Sequence, residues 1–219
     1  SFLANAEQSL LRAQALNPLN TDHSANLGRL YLAKSQMTSG TERTQAVQRA
    51  LDYYAVATRL SPNAAHLHNE YGTAYQVAGQ PDKALEQFDI SLALDQRYPD
   101  TYRRLGDFYQ RSNQNDKAIE AYEAGLTIAP RDVTFHSNLG FLYAEQGNRE
   151  KGIEHNLAVL DSRPNDLASI RNLAVLYSEI GDVDNALVFA QRALGLVTTD
   201  EDKAALQSLI DQLQAQRGG

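Results

Sequence analysis

The sequence predicts an all-α chain built from one two-helix unit repeated along nearly its whole length. Three observations predict it. First, Leu105-Gly106-x-x-Tyr109 returns further on as Leu139-Gly140-x-x-Tyr143, again as Leu173-Ala174-x-x-Tyr177, and upstream as Tyr71-Gly72-x-x-Tyr75, always at one 34-residue step. Second, other positions keep the same step: Ala84, Ala118, Gly152 and Ala186 in one series, and Phe88, Tyr122, Asn156 and Ala190 in another. Third, apolar residues inside a unit fall at helical spacing, with Leu105, Phe108 and Tyr109 on a first helix and Ala118, Ile119, Tyr122 and Leu126 on a second. A fixed step of this length marks a repeat architecture.

The elements follow in order as one repeat domain, 1–219. Residues 1–20 read as a half-unit: Ala6, Leu10, Ala13 and Pro18 match a second helix whose first helix is missing. The chain lacks an initiator Met, so it is expected to be a fragment of a longer protein or to start on a capping helix. Residues 21–64 form a long repeat that opens with Asn26-Leu27-Gly28-x-x-Tyr31. Gly28 and Pro62 stand a full period apart, whereas Gly106 and Pro130, the matching pair, stand closer by ten, so ten extra residues surround "KSQMTSGTERTQ". Both helices are expected to lengthen by about five residues, leaving the hairpin ~7 Å proud of its neighbours. That hairpin reads either as length variation or as a docking knob. Regular units follow at 65–98, 99–132, 133–166 and 167–198, with "AGQPD", "SNQND", "QGNRE" and "IGDVD" supplying the turns. Pro130 and Pro164 close two of them. In 199–219, Leu206, Leu209, Ile210 and Leu213 make one apolar stripe on an otherwise polar helix, which suits a C-terminal cap.

Two local departures carry expectations. Glycine inside a helix costs about 1 kcal/mol relative to alanine, yet four units place one after the Leu or Tyr. The missing side chain is expected to admit the second helix, with its own small residue (Ala84, Ala118) facing. The unit 133–166 has Gly152 where alanine is usual and Asn156 where an aromatic packs. Its second helix, 149–162, is therefore expected to be the most mobile of the interior helices.

A 34-residue period with these positions resembles the tetratricopeptide repeat, a pair of antiparallel helices. The resemblance implies a right-handed solenoid whose concave groove is lined by the first helix of each pair. It also implies groove residues, taken position by position: Asn26 and Arg29; His66, Asn69, Glu70 and Thr73; Arg103, Arg104, Asp107 and Arg111; Asn138 and Phe141; Arg171 and Asn172. Asn26, Asn138 and Asn172 each precede the Leu-Gly or Leu-Ala pair. A carboxamide both donates and accepts, so it can hold the backbone of an extended peptide whatever its sequence. This ladder is interrupted by Glu70 and Arg104. Residues 103, 107 and 111 lie one turn apart, so the two arginines either form an anion site or an Arg–Asp–Arg ion-pair chain. Asn69, Thr73, Arg103 and Asp107 do not reproduce the dicarboxylate clamp of chaperone-binding relatives.

The stretch "AAHLHNEYG" places His66, His68 and Glu70 at alternate positions. On a helix, residues two apart point roughly 200° from each other, so His66 and His68 cannot share a metal. His68 and His136, two repeats apart, fall in a packing slot and are expected to be partly buried spacers. His66 and Glu70 share the groove face and can pair with each other. Two ligands alone make a poor zinc site, so neither a metal nor a cofactor is expected.

Composition excludes other classes. There are no cysteines, which removes disulfides, thiolate sites and cysteine nucleophiles. The formal charge of −7 is interspersed, which argues against nucleic acid. No apolar run approaches the ~18 residues needed to span a bilayer, and no basic, apolar leader precedes the repeats. No catalytic motif is found, so the chain is not expected to be an enzyme. The leading expectation is a scaffold for a protein or peptide partner. The stretch "ALNPLNTDHSANLGRLY" (15–31) also resembles, weakly, repeat tails of bacterial O-antigen ligases or polymerases. That would make the chain the aqueous-phase tail of a membrane-anchored parent; the alternative setting is a soluble cytoplasmic domain, and the sequence does not decide between them. Self-association through the half-unit or the long hairpin is the third possibility.

Overall fold

The computed structural model describes residues 2–218, and every regular element among them is a helix. Ser1 and Gly219, the outermost residues of the two expected end segments, lie outside the described residues. The helices are α1 Phe2–Leu16, α2 Thr21–Gln36, α3 Gly40–Leu60, α4 Ala65–Val77, α5 Pro81–Leu94 and α6 Pro99–Arg111. They continue as α7 Asn115–Ile128, α8 Val133–Glu145, α9 Arg149–Ser162, α10 Leu167–Glu179, α11 Val183–Leu194 and α12 Asp200–Gly218. The chain gathers into two compact units, Ser1–Gln114 and Asn115–Gly219.

The turns explain why consecutive helices double back. Three-residue turns close the hairpins α4–α5, α8–α9 and α10–α11. In each, the second turn residue has positive φ: Gly79 at 70°, Gly147 at 79° and Gly181 at 79°. Asn113 takes the same place between α6 and α7 at 56°. This left-handed residue ends a helix by letting the next amides reach back to its last carbonyls, as Gln80 N–H does to Tyr75 O at 2.9 Å. Side-chain caps start α9 and α11, Asn148 accepting from Lys151 N–H and Asp182 from Asn185 N–H. Between hairpins, Asn20, Asp132 and Asp166 cap α2, α8 and α10 in the same way.

In the first unit the core forms between α2, α3 and α4 from Leu27, Tyr31, Val47, Ala50, Leu51, Tyr54 and Ala74. Each large side chain removed from water there contributes about 1.5–3 kcal/mol. Leu10 of α1 packs on this cluster, which seats the half-unit helix against α2. The ten extra residues of the long hairpin are shared unevenly. Helix α2 has 16 residues against 13 in α4, and α3 has 21 against 14 in α5. Helix α3 can take seven of the ten because Ala46, Val47, Ala50, Leu51 and Tyr54 keep a buried stripe on it.

In the second unit, Leu160, Ile170, Leu173, Ala193, Val197 and Leu206 form one cluster. Ala174, Ala186, Leu187, Ala190, Ile210 and Leu213 form another. Leu206, Ile210 and Leu213 bury one side of α12 on α11 while its other side stays exposed. The helical glycines have a sharper role than expected. A Cβ on Gly72 would stand 2.6 Å from the Phe88 ring, and one on Gly28 would stand 2.9 Å from the Tyr54 ring. The glycine therefore makes room for the large residue of the second helix. The small residue four positions earlier meets the first helix's backbone, with Gly140 O 3.6 Å from a Cβ built on Gly152.

Candidate functional site

Helices α2, α4 and α6 bring together four of the expected groove residues in the first unit. Arg29, Glu70, Thr73 and Arg104 line a pocket of about 340 Å³ with Leu32, Ala33, Gln36 and Tyr54. Arg29 donates through Nε (2.9 Å) and Nη2 (2.6 Å) to the Glu70 carboxylate, a forked pair between two repeats. Its Nη1 donates to Asn26 Oδ1 at 2.8 Å. On the facing wall, Arg104 Nη1 donates to Thr73 Oγ1 at 3.2 Å and Nε to Asp100 Oδ2 at 3.3 Å. Arg103 bonds the same Asp100. Tyr54 lies beneath, its hydroxyl pushed well above the ordinary tyrosine range by burial and then by the Glu70 charge. Leu32, Ala33 and the Tyr54 ring make an apolar patch between two charged walls.

Other expected residues fall elsewhere. Asn69 is fully buried and does not reach the groove surface. Its Nδ2 donates to Thr101 Oγ1 at 3.0 Å, and Thr101, Ser91 and the carbonyl of Ala65 continue the chain at 2.9 Å each. Among the described residues the Asn69 Oδ1 has no hydrogen-bond partner. Glu70 pairs with Arg29 where the sequence suggested His66; His66 is exposed beside Asp95 and Tyr98. Arg171 bonds Asp202 in the first turn of α12, which ties the cap to α10. Arg111 is exposed at the end of α6, and Asp107 is half-buried on the same helix.

The first helices of the second unit present a different surface. Phe141 on α8 and Val175 on α10, one period apart, are 47% and 48% exposed. Asn138 and Asn172 precede them by one turn. Asn172 Nδ2 donates to Asn156 Oδ1 at 3.3 Å, and Asn156 Nδ2 donates to Gly152 O at 2.7 Å. Asn156 thus fills the aromatic slot with a satisfied carboxamide, completely buried.

Sequence reading missed two recurring contacts. A tyrosine near the end of the first helix stacks on a ring of the second: Tyr31 on Tyr53, Tyr143 on His155 and Tyr177 on Phe189, each 5.6 Å apart and within 6° of parallel. The 34-residue step from His155 to Phe189 is the signal that could have found it. The second is the hydrogen bonding inside the packing slot that the sequence assigns to His68 and His136. His68 Nε2 donates to Pro62 O at 3.0 Å with Nδ1 2.9 Å from Gln87 Oε1. His136 repeats this with Pro130 O at 3.0 Å, its Nδ1 lying 2.9 Å from His155 Nδ1. His68 is buried and His136 half-buried, each held as a packing residue. Among the described residues no group of three or more His, Cys, Asp or Glu is placed to hold a metal ion. None of the described helices is long and apolar enough to cross a membrane.

Comparison with known proteins agrees with this geometry. A family model described as TPR repeat matches residues 108–147, and one described as Tetratricopeptide repeat matches 169–204. A search of curated protein sequences returns no match. Among solved structures, YrrB, described as a TPR protein with an unusual peptide-binding site, superposes with a TM-score of 0.67 at 18% identity. That match covers 92% of this chain and 99% of YrrB. MamA 41-end from Desulfovibrio magneticus RS-1 gives a TM-score of 0.60 at 24% identity, over 78% of this chain and 94% of that one. The Cut9–Hcn1 hetero-tetramer of APC/C gives 0.66 at 16%, over 96% of this chain and 39% of that one. Likeness at these identities speaks to fold alone. These matches lend nothing to the weaker resemblance to O-antigen ligase or polymerase tails. The 34-residue step, the paired helices and both family models agree: the chain carries tetratricopeptide repeats.

Proposed function

We propose that the chain is a non-catalytic scaffold that holds an extended peptide segment of a partner protein against its first helices. The carrying observation is the pocket bounded by Arg29–Glu70 and Thr73–Arg104 over Leu32, Ala33 and Tyr54. At about 340 Å³ it sits at the small end of ligand pockets, the scale of one or two side chains. Its apolar floor supplies burial, and its charged walls supply donors and acceptors for orientation. Arg29 and Glu70 already satisfy each other, so an apolar side chain can enter without leaving a buried charge unpaired. In the second unit, Phe141 and Val175 offer apolar contact beside the carboxamides of Asn138 and Asn172. YrrB's description as peptide-binding supports the same reading.

The test is a selection of random displayed peptides on the purified chain, with affinities measured by fluorescence polarisation. Ala33 is exposed on the pocket floor, so Ala33→Trp fills the pocket without touching the core. Selected peptides should bind this variant at least about tenfold more weakly, or 1.4 kcal/mol. Unchanged affinity in Ala33→Trp, and likewise in an Asn138→Ala/Asn172→Ala variant, would overturn the reading.

A further inference from the structure

The two histidine slots differ in one partner, and that partner decides how many protons the slot can hold. In both, the imidazole Nε2 faces a proline carbonyl, which only accepts, so Nε2 carries hydrogen. The other nitrogen, Nδ1, meets Gln87 in the first unit and His155 Nδ1 in the second. A carboxamide presents an acceptor or a donor by turning over, so Gln87 accommodates His68 whether neutral or charged. Two imidazoles joined Nδ1 to Nδ1 at 2.9 Å share one hydrogen. With both rings neutral, His155 donates and His136 accepts. One added proton is also accommodated, as a single N–H between the two nitrogens. With a second, both Nδ1 atoms carry hydrogen and face each other, and the contact cannot persist.

We propose that the His136–His155 pair is an acid-sensitive latch, holding α9 against α8 with at most one added proton and releasing it when both rings are charged. The surroundings set its range. His155 is 8% exposed, stacked on Tyr143 from α8. Burial first, and then the charge of His136, push its imidazolium below the ordinary histidine range. Glu154 on α9 and Glu123 on α7 oppose this, while Lys151 on α9 adds to it. From α10, Asn172 reaches the neighbouring Asn156 uncharged, and Glu179 pairs with Arg149 in the first turn of α9.

The sign follows from proton counting. The opened state binds protons at the ordinary histidine value, about 6.5. The closed pair refuses the second proton, so the latch is fully closed above that value and weakens as pH falls below it. The device is independent of any ligand, so its test needs none. Native-state hydrogen exchange, corrected for intrinsic rates, should show the opening of 149–162 rising toward about tenfold for each pH unit below ~6.5. Helix α5, which carries Gln87, should stay flat over the same range as an internal control. His155→Gln copies the Gln87 arrangement into the second unit and should flatten the α9 response. An α9 response that survives this variant, or an equal response in α5, overturns the latch. Should the variant fail to fold, nitrogen-detected NMR of the wild-type imidazoles decides. The latch requires His136 and His155 to protonate in two separated steps, and a single joint step overturns it.

Discussion

His68 and His136 hold the same repeat position two units apart, yet one meets an amide and the other a second imidazole. The contrast runs through both halves of the chain. Residues 1–114 carry eleven Lys or Arg against eleven Asp or Glu, whereas 115–219 carry nine against sixteen, so the whole net charge of −7 resides in the second unit. The first unit fills its large second-helix slots with Tyr54 and Phe88 and opens a charged pocket between α2, α4 and α6. The second fills the same slot with Tyr122, Asn156 and Ala190, only one of them a large ring, and exposes Phe141 and Val175. A repeat thus constrains where a side chain stands far more tightly than what chemistry it brings. Each position needs a volume and a satisfied polar group, and more than one residue meets both demands.

Substitutions at equivalent positions test this contrast. The largest effect is expected at the big second-helix slot. Phe88→Ala should cost about 3–5 kcal/mol in urea unfolding, since a fully buried ring leaves a cavity. Asn156→Ala should cost less, about 1–3 kcal/mol, because it removes hydrogen bonds to Gly152 and Asn172 and little volume. Equal costs would break the comparison. Next come the glycines facing those slots. Gly72→Ala places a Cβ 2.6 Å from the Phe88 ring, and overpacking of that kind costs about 1–3 kcal/mol. Gly140→Ala meets the Asn156 amide nitrogen at 2.7 Å, the end of a side chain that can shift, so its loss should be the smaller. The reverse order would show that Asn156 is held as rigidly as Phe88. The smallest effect is expected at the pocket wall. Glu70→Gln should cost less than about 1 kcal/mol, since the Arg29 side chain is 46% exposed and solvent screens the pair. A larger loss would mean that the wall supports the fold as well as shaping the pocket.

Much of the fold was legible because helix pairing, turn position and the buried stripe all recur with the 34-residue step. The three-residue turns show it well: Gly79, Gly147 and Gly181 are required by positive φ, and Asn113 is the non-glycine best suited to take their place. The candidate site was legible only in part. Arg29, Glu70, Thr73 and Arg104 do line one pocket, but Tyr54, Leu32 and Ala33 beneath them went unread. Family position says which face of a helix a residue occupies, whereas lining a pocket depends on how far neighbouring helices cover that face. Asn69 and Arg171 show the limit. Both occupy an expected groove position, yet Asn69 is buried against Thr101, and Arg171 is paired with Asp202 of the capping helix.

By itself, the sequence determined the helical repeat, its register, its turns and the slots that must be small or large. These follow from short-range backbone chemistry and from spacing along one chain. Only the tertiary structure decided how the ten extra residues were shared between α2 and α3, which ring each glycine faces, and which partner each histidine and arginine takes. Those outcomes depend on distances between side chains far apart in sequence, and a difference of an ångström or one rotamer settles each of them.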